Sequence, residues 1–177
     1  MYSSNQSDDR IINDLNKLPV LSELIKKQNK TIGYISGCFD LIHIGHINLF
    51  RFAKTHVDIL FVGIDSDEYI KNAKGLSRPF FEASTRLTQL EELRSVDYVL
   101  LLQGNYTPNS KECDSLHRTI ISKLKPDILF EGQISCFTHQ KIKLAEELQI
   151  KFYNSPNDII YPTSTSLIAD AICKNSI

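Results

Sequence analysis

The sequence predicts an α/β fold: a single domain with a doubly wound parallel sheet of five strands and helices on both faces. Three observations predict it. The runs DILFVGI (58–64), DYVLLL (97–102) and DILFEG (127–132) are nearly continuously apolar, as strands covered on both faces are. Amphipathic stretches of helix length lie between them, the arrangement of βαβ units with helical crossovers. At 177 residues and 20.2 kDa the length suits one domain able to bury a sizeable core.

Residues 1–10, MYSSNQSDDR, are polar and acidic and read as a disordered tail before a domain spanning 11–177, with a helical segment over 11–29 and the core over 30–177. Ile11, Ile12, Leu15, Leu18, Leu21, Leu24 and Ile25 recur at near-helical spacing, interrupted by Pro19, which predicts a short helix, a break and a second helix. TIGYIS (31–36) predicts the first strand, ending at Gly37. Ile47, Leu49, Phe50 and Phe52 give an amphipathic helix from about Ile44 to Lys54. After the strand at 58–64, the polar KNAKGLSRP reads as a loop. TRLTQLEELRS predicts a helix, DYVLLL a strand, 114–124 a helix and DILFEG a strand. KIKLAEELQI then predicts a helix, KFYN a strand and SLIADAICK a terminal helix.

Twenty basic against twenty-one acidic side chains leave a net charge of -1, so no basic field exists to hold a nucleic-acid backbone or an anionic membrane. Cys38, Cys113, Cys136 and Cys173 form no C-x-x-C pair, against a zinc knuckle or redox motif and in favour of a reducing compartment. The amino terminus lacks an apolar signal-type core, and no run of about 20 apolar residues occurs. The expectation is a soluble cytoplasmic protein.

Doubly wound sheets bind ligands outside the carboxyl ends of their strands, so the first strand-to-helix junction, SGCFDLIHIGH, is the candidate site. His43 and His46, three apart at a helix start, share a face beside open backbone N–H groups and the positive end of the helix dipole, which suits phosphate. Gly37 provides conformational freedom, and Gly45 leaves room for a ribose or base. The plainer alternative is that both histidines cap or pack. A zinc site is excluded, since His-x-x-His without a helical Glu or nearby Cys offers two ligands. Asp40 on the turn has two readings, helix cap or ligand-orienting carboxylate. Lys74, with Lys71 beside it, is placed to reach phosphates as a mobile point charge. Ser164, Thr165 and Ser166 precede the last helix, where hydroxyls and open N–H groups form an anion cradle. Phe80 and Phe81 are candidates to stack on a base or to pack in the core.

GCFDLIHIGH resembles the G-x-F-D-x-x-H-x-G-H signature of the cytidylyltransferase-like nucleotidyltransferase superfamily. KGLSRP, TRLTQLEELRSVDYV, KPDILFEG and TSTSLIADAI extend the likeness over roughly residues 20–173. They look like the adenylyltransferase part of ADP-heptose synthase and, more distantly, glycerol-3-phosphate cytidylyltransferase. The resemblance implies a Rossmann-like fold. The reaction it implies is attack by a phosphate-ester oxygen on the α-phosphorus of a nucleoside triphosphate, ATP or CTP, with release of pyrophosphate and with Mg2+ bound mainly through the triphosphate. It assigns catalysis to His43, His46, Lys74 and Arg86. Nucleotide binding falls to Gly37, Cys38, Phe39, Asp40, Gly45, Ser164, Thr165 and Ser166, and acceptor binding to Asp40, Arg78 and Glu131. A homodimer is in keeping with relatives.

The sequence departs from the heptose pattern at Glu131-Gly132-Gln133, where a lysine and Gly-Gly-Asp are usual, at Phe80-Phe81-Glu82-Ala83, and at Pro162. Glu131 is therefore expected to repel an anionic group and to tune acceptor or base choice. The leading expectation is a nucleotidyltransferase acting on a sugar or polyol phosphate. A non-sugar acceptor, such as a phosphorylated amino alcohol, and a non-catalytic nucleotide-binding protein are the alternatives.

Overall fold

Alternate side chains of each strand point to opposite faces of a sheet, and here both faces are apolar. In the computed structural model, which describes residues 10–132, 138–156 and 164–174, the strand β2 (Ile32–Gly37) sends Ile35 to one face and Ile32 and Tyr34 to the other. β3 (Ile59–Asp65) divides in the same way, with Leu60, Val62 and Ile64 against Phe61. In β4 (Tyr98–Leu102), Val99 opposes Leu100 and Leu102. The first layer is closed by Leu49, Phe50 and Ala53 of α2 (Ile44–Lys54) and by Leu87 and Leu90 of α4 (Ala83–Glu91). The second is closed by α1 (Leu18–Lys27), α5 (Lys111–Leu124) and α6 (Thr138–Glu147) through Leu18, Ile25, Ile120, Leu124 and Leu144. Helices on both faces are what buried parallel strands require.

With β1 (Ile11–Ile12), β5 (Ile128–Glu131) and β6 (Lys151–Asn154), the sheet has six parallel strands in the order β1-β4-β3-β2-β5-β6. The five-strand expectation is corrected by β1. Ile11 and Ile12, read from sequence as helical, pair with Val99 and Leu100. Arg10 fixes them by donating to the carbonyls of Asp97 and Val96 in the turn before β4. Pro19 does not break a helix: a 3-10 turn over Leu15–Lys17 runs into α1, and proline is tolerated in that first turn, where its missing N–H costs nothing. Lys71 and Lys74, expected on a loop, belong to the last turn of α3 (Asp67–Lys74), which Gly75 ends with φ +96°. The last helix is α7 (Thr165–Lys174). The tail before residue 10, and Gln133, Cys136 and Pro162, lie outside the described residues, as does the side chain of Cys173.

Gly63 lets three strands close on one another. A Cβ there would lie 2.5 Å from both Leu102 Cδ1 and the Tyr34 hydroxyl, whose parent residues are buried. Gly63→Ala is therefore expected to destabilise the fold by about 1–3 kcal/mol, the usual range for overpacking, read as a lower urea midpoint at unchanged m. An unchanged midpoint would show that the sheet yields at this point.

Candidate active site

Strand order reverses at β2, with β3 on one side and β5 on the other, and a cleft of about 860 Å³ opens outside their carboxyl ends, where doubly wound folds bind ligands. Beyond Gly37 the chain turns through Cys38, Phe39 and Asp40. Phe39 takes a left-handed conformation (φ +46°), held by burial of its ring edge-on to His46 at 5.1 Å and against Phe50 at 5.2 Å. Asp40, 1% exposed, fastens the 78–82 loop to this turn. Its carboxylate accepts from Arg78 Nε at 2.6 Å and from the Phe80 and Phe81 amides at 2.8 and 3.1 Å. The Arg78 guanidinium lies 4.5 Å over the Phe80 ring.

His43 occupies the N-cap of α2 and makes no capping hydrogen bond through its side chain, so the capping reading of this histidine does not hold. His46 follows in the first turn. The two rings stack at 3.7 Å, inclined by 26°, and both Nδ1 atoms are buried without a hydrogen-bond partner among the described residues. Burial lowers the pKa of His43; burial, reinforced by His43 and Lys74, lowers that of His46 to about 3. Both rings are therefore neutral near pH 7, each with one N–H to donate.

The remaining residues come from three other strand ends and two helices. Lys74 lines the cleft, and Lys71 does not. Asp65, at the end of β3, accepts from the Cys38 thiol at 3.4 Å. Burial raises the pKa of Asp65, and burial together with the Asp65 charge pushes Cys38 up to about 12, which makes it a poor nucleophile. Ser164, Thr165 and Ser166 reach the cleft at the start of α7. The Ser164 hydroxyl accepts from the Leu167 amide at 3.2 Å, so one of the three acts as the helix cap. Glu131 ends β5 and is 5% exposed. The expectation of an open negative charge there is corrected: Lys141 of α6 lies 3.0 Å from Glu131 Oε1 and neutralises it.

The cleft thus gathers His43, His46, Lys74, Glu131, the Gly37–Asp40 turn, Gly45 and the three hydroxyl residues, but neither Arg78 nor Arg86. Arg78 is held by Asp40. Arg86 has no exposed surface. Its Nε donates to the Phe81 carbonyl (3.0 Å), Nη1 to the Cys38 carbonyl (2.7 Å), and Nη2 to the Asp65 carbonyl (2.8 Å) and Asp67 Oδ1 (2.6 Å). That makes it a positioning residue beneath the site. Asp65, His117, Arg118 and Lys141 also line the cleft and were missed from sequence. The signal for His117 was present, because it stands four residues after Cys113 and three before Ile120 on the buried stripe of α5. Among the described residues no group of three or more His, Cys, Asp or Glu side chains is placed to hold a metal ion. The protein's own donors therefore do not form a magnesium cage, which would be built of oxygen ligands. No helix among them is long and apolar enough to cross a membrane.

The sequence pattern of the cytidylyltransferase-like family matches residues 34–169, from β2 into α7. The chain belongs to that family of nucleotidyltransferases. Among its relatives is the bifunctional protein HldE of a Nitratiruptor species, 34% identical over 124 residues, which cover 70% of this chain and 25% of that protein. HldE of Helicobacter pylori is 37% identical over 128 residues, 72% of this chain and 25% of that protein. The chain thus spans about a quarter of the length of these relatives. The lipopolysaccharide core biosynthesis protein from Thermoplasma volcanium superposes with a TM-score of 0.56 at 25% identity, over 72% of this chain and 97% of that one. Pantoate-beta-alanine ligase from Francisella tularensis, also with a TM-score of 0.56, is 18% identical over 82% of this chain and 66% of its own and shares the fold.

Two outcomes follow from this geometry. Arg86→Met is expected to destabilise the fold by more than about 3 kcal/mol, because it leaves buried carbonyls and a carboxylate unpartnered. Loss of turnover at unchanged urea midpoint would instead make Arg86 a phosphate contact. The second outcome concerns His46, whose pKa is lower in the folded than in the unfolded chain. Between the ordinary value of 6.5 and about 3, the unfolded chain binds the extra proton, so the contribution of this residue falls as pH drops. The Tm of the wild type relative to His46→Gln should accordingly decline from pH 7.5 to pH 5; a constant difference would show that the ring is not desolvated.

Proposed function

We propose that the chain transfers a nucleotidyl group, AMP or CMP, from a nucleoside triphosphate to a small phosphorylated acceptor, a sugar or polyol phosphate, and releases pyrophosphate. The observation that supports this reading best is the stacked, neutral His43–His46 pair at the amino end of α2, in one cleft with Lys74 and the hydroxyls that open α7. An oxygen of the acceptor phosphate attacks the α-phosphorus. The new P–O bond forms as the bond to the β-phosphate oxygen breaks, and the departing pyrophosphate carries away the electron pair. A phosphate anion needs no general base, and neutral histidines suit that chemistry: they donate to the non-bridging oxygens as charge gathers there. Donors fixed before the reaction are worth more than mobile ones because nothing has to reorient at the transition state. Lys74, a mobile point charge, follows the outer phosphates, and the N–H groups at the start of α7 add a second anion cradle.

Magnesium, in this proposal, arrives on the triphosphate and offsets its charge. The likeness to the adenylyltransferase part of ADP-heptose synthase favours ATP as donor. A cytoplasmic setting suits the thiols of Cys38 and Cys113, both free in the structure.

The test is pyrophosphate release with ATP and with CTP, each against a panel of sugar and polyol phosphates. At least one acceptor should support turnover, and His46→Ala should lower kcat at least about 100-fold, as removal of a preorganised donor does. Near-normal turnover in a folded His46→Ala protein would overturn the proposed role.

A further inference from the structure

Opposite the histidines, the cleft is walled by α5 and α6, and its polar groups there have no counterpart in the site assembled from the sequence. His117 of α5 lines the cleft, and its ring makes no hydrogen bond among the described residues. Burial, aided by the charge of Lys141, lowers its pKa to about 4, so near pH 7 the ring presents one N–H donor and one nitrogen acceptor. Beside it Lys141 and Glu131 form an ion pair at 3.0 Å. Further along, Arg118 holds Glu147 at 2.8 Å and Asp114 at 3.8 Å.

The partners of the carboxylates decide what this wall can receive. Each carboxylate that lines the described cleft is already engaged: Glu131 by Lys141, Asp114 and Glu147 by Arg118, Asp40 by Arg78, and Asp65 by the Cys38 thiol. None is left open for an ammonium group, which would need an unpaired carboxylate to replace its water. A paired carboxylate and ammonium, by contrast, keep spare lone pairs and N–H groups that can accept from and donate to hydroxyls, and a neutral imidazole does both at once.

We propose that the α5–α6 wall is the acceptor subsite, and that His117 and the Glu131–Lys141 pair select a polyhydroxylated phosphate ester over an amino-alcohol phosphate. The inference rests on the nucleotidyltransferase reading above and adds the residues that choose its substrate. His117 takes two roles toward neighbouring hydroxyls, as donor to one and acceptor from the next. Glu131 accepts from a hydroxyl, and Lys141 donates to a hydroxyl or to the ester phosphate. Lys141, half-buried and anchored by Glu131, meets the acceptor with little further ordering.

The test measures binding directly, so it does not depend on turnover. Calorimetric titrations of the full chain, saturated with a non-hydrolysable ATP analogue, use glycerol 3-phosphate, ribose 5-phosphate and mannose 1-phosphate on one side and phosphoethanolamine and phosphocholine on the other. At least one of the polyol phosphates should bind at least about tenfold tighter than either amino-alcohol phosphate. His117→Leu should weaken that polyol phosphate about tenfold, in line with the loss of one good hydrogen bond, while affinity for the ATP analogue and Tm stay within error. His117→Asn, which keeps a donor and an acceptor, should recover part of the loss, and Lys141→Met should weaken the polyol phosphates without strengthening the amino-alcohol phosphates. Preference for phosphoethanolamine or phosphocholine, no binding by any of the three polyol phosphates, or an unchanged polyol affinity in His117→Leu would overturn the inference. An equal loss of affinity for nucleotide and acceptor would make His117 structural and overturn it as well. Absence of pyrophosphate release in the wild type, with the calorimetric preference intact, would instead count against the reaction and leave the subsite standing.

Discussion

Arg86 sits without exposed surface where three parts of the chain converge, and the geometry of the cleft depends on it. Its guanidinium joins the carbonyls of Cys38 and Asp65, at the exits of β2 and β3, to the Phe81 carbonyl and the Asp67 carboxylate. Strand exits in a parallel sheet have no ladder partner beyond the last register pair, so their carbonyls need donors from elsewhere. A planar fork of five N–H groups on one rigid side chain supplies several at once; a lysine would not. Asp40 does the complementary work from the other side, with a carboxylate that accepts from one side chain and two backbone amides of the same loop. Together the two ion pairs fix the turn that delivers His43 and His46, and neither guanidinium needs to touch a ligand to matter.

The electrostatics of the cleft follow from that rigidity. Burial keeps both histidines neutral, and Phe39, strained into a left-handed turn, holds one edge of the His46 ring. Positive potential comes from Lys74 and from the amino ends of α2 and α7 rather than from imidazolium. A site of this kind binds an incoming polyanion through fixed dipoles and one mobile cation, and its donors do not have to be charged first. An arriving triphosphate would itself favour protonation of the rings.

Much of this was legible in the sequence, for physical reasons specific to each element. Buried parallel strands announce themselves as apolar runs, and the anion site announces itself because phosphate chemistry demands histidines, glycine and hydroxyls at fixed spacing beside helix starts. β1 was not legible: two isoleucines carry no period, and what makes them a strand is Arg10 reaching carbonyls more than eighty residues away. The same limit applied to the arginines. Arg78 and Arg86 were read as ligand contacts, since sequence gives the charge of a side chain and not the carbonyls or carboxylates around it. Lys74 was read correctly as a cleft residue although its segment was taken for a loop, because polar residues of a short, exposed helix look like those of a turn. His117 shows the opposite case: a polar residue on an apolar helical stripe was a visible signal, and the reading passed over it.

Glu131 shows why a single departure from a family pattern does not translate into a change of charge. Read alone, a carboxylate in place of lysine inverts the local field at the end of β5. In the folded chain Lys141, on the next helix, lies 3.0 Å away and restores neutrality. A lysine at position 131 would face Lys141 across the same gap, and two ammonium groups at that separation repel strongly in a half-buried setting. The choice of residue at 131 is thus conditional on the residue at 141, and the two are one feature of the wall. The positive charge has moved from the strand end to a helix side chain, where it is longer, more mobile and beside a neutral imidazole. Acceptor choice on this wall is then a property of α6 and α5 as much as of the sheet edge.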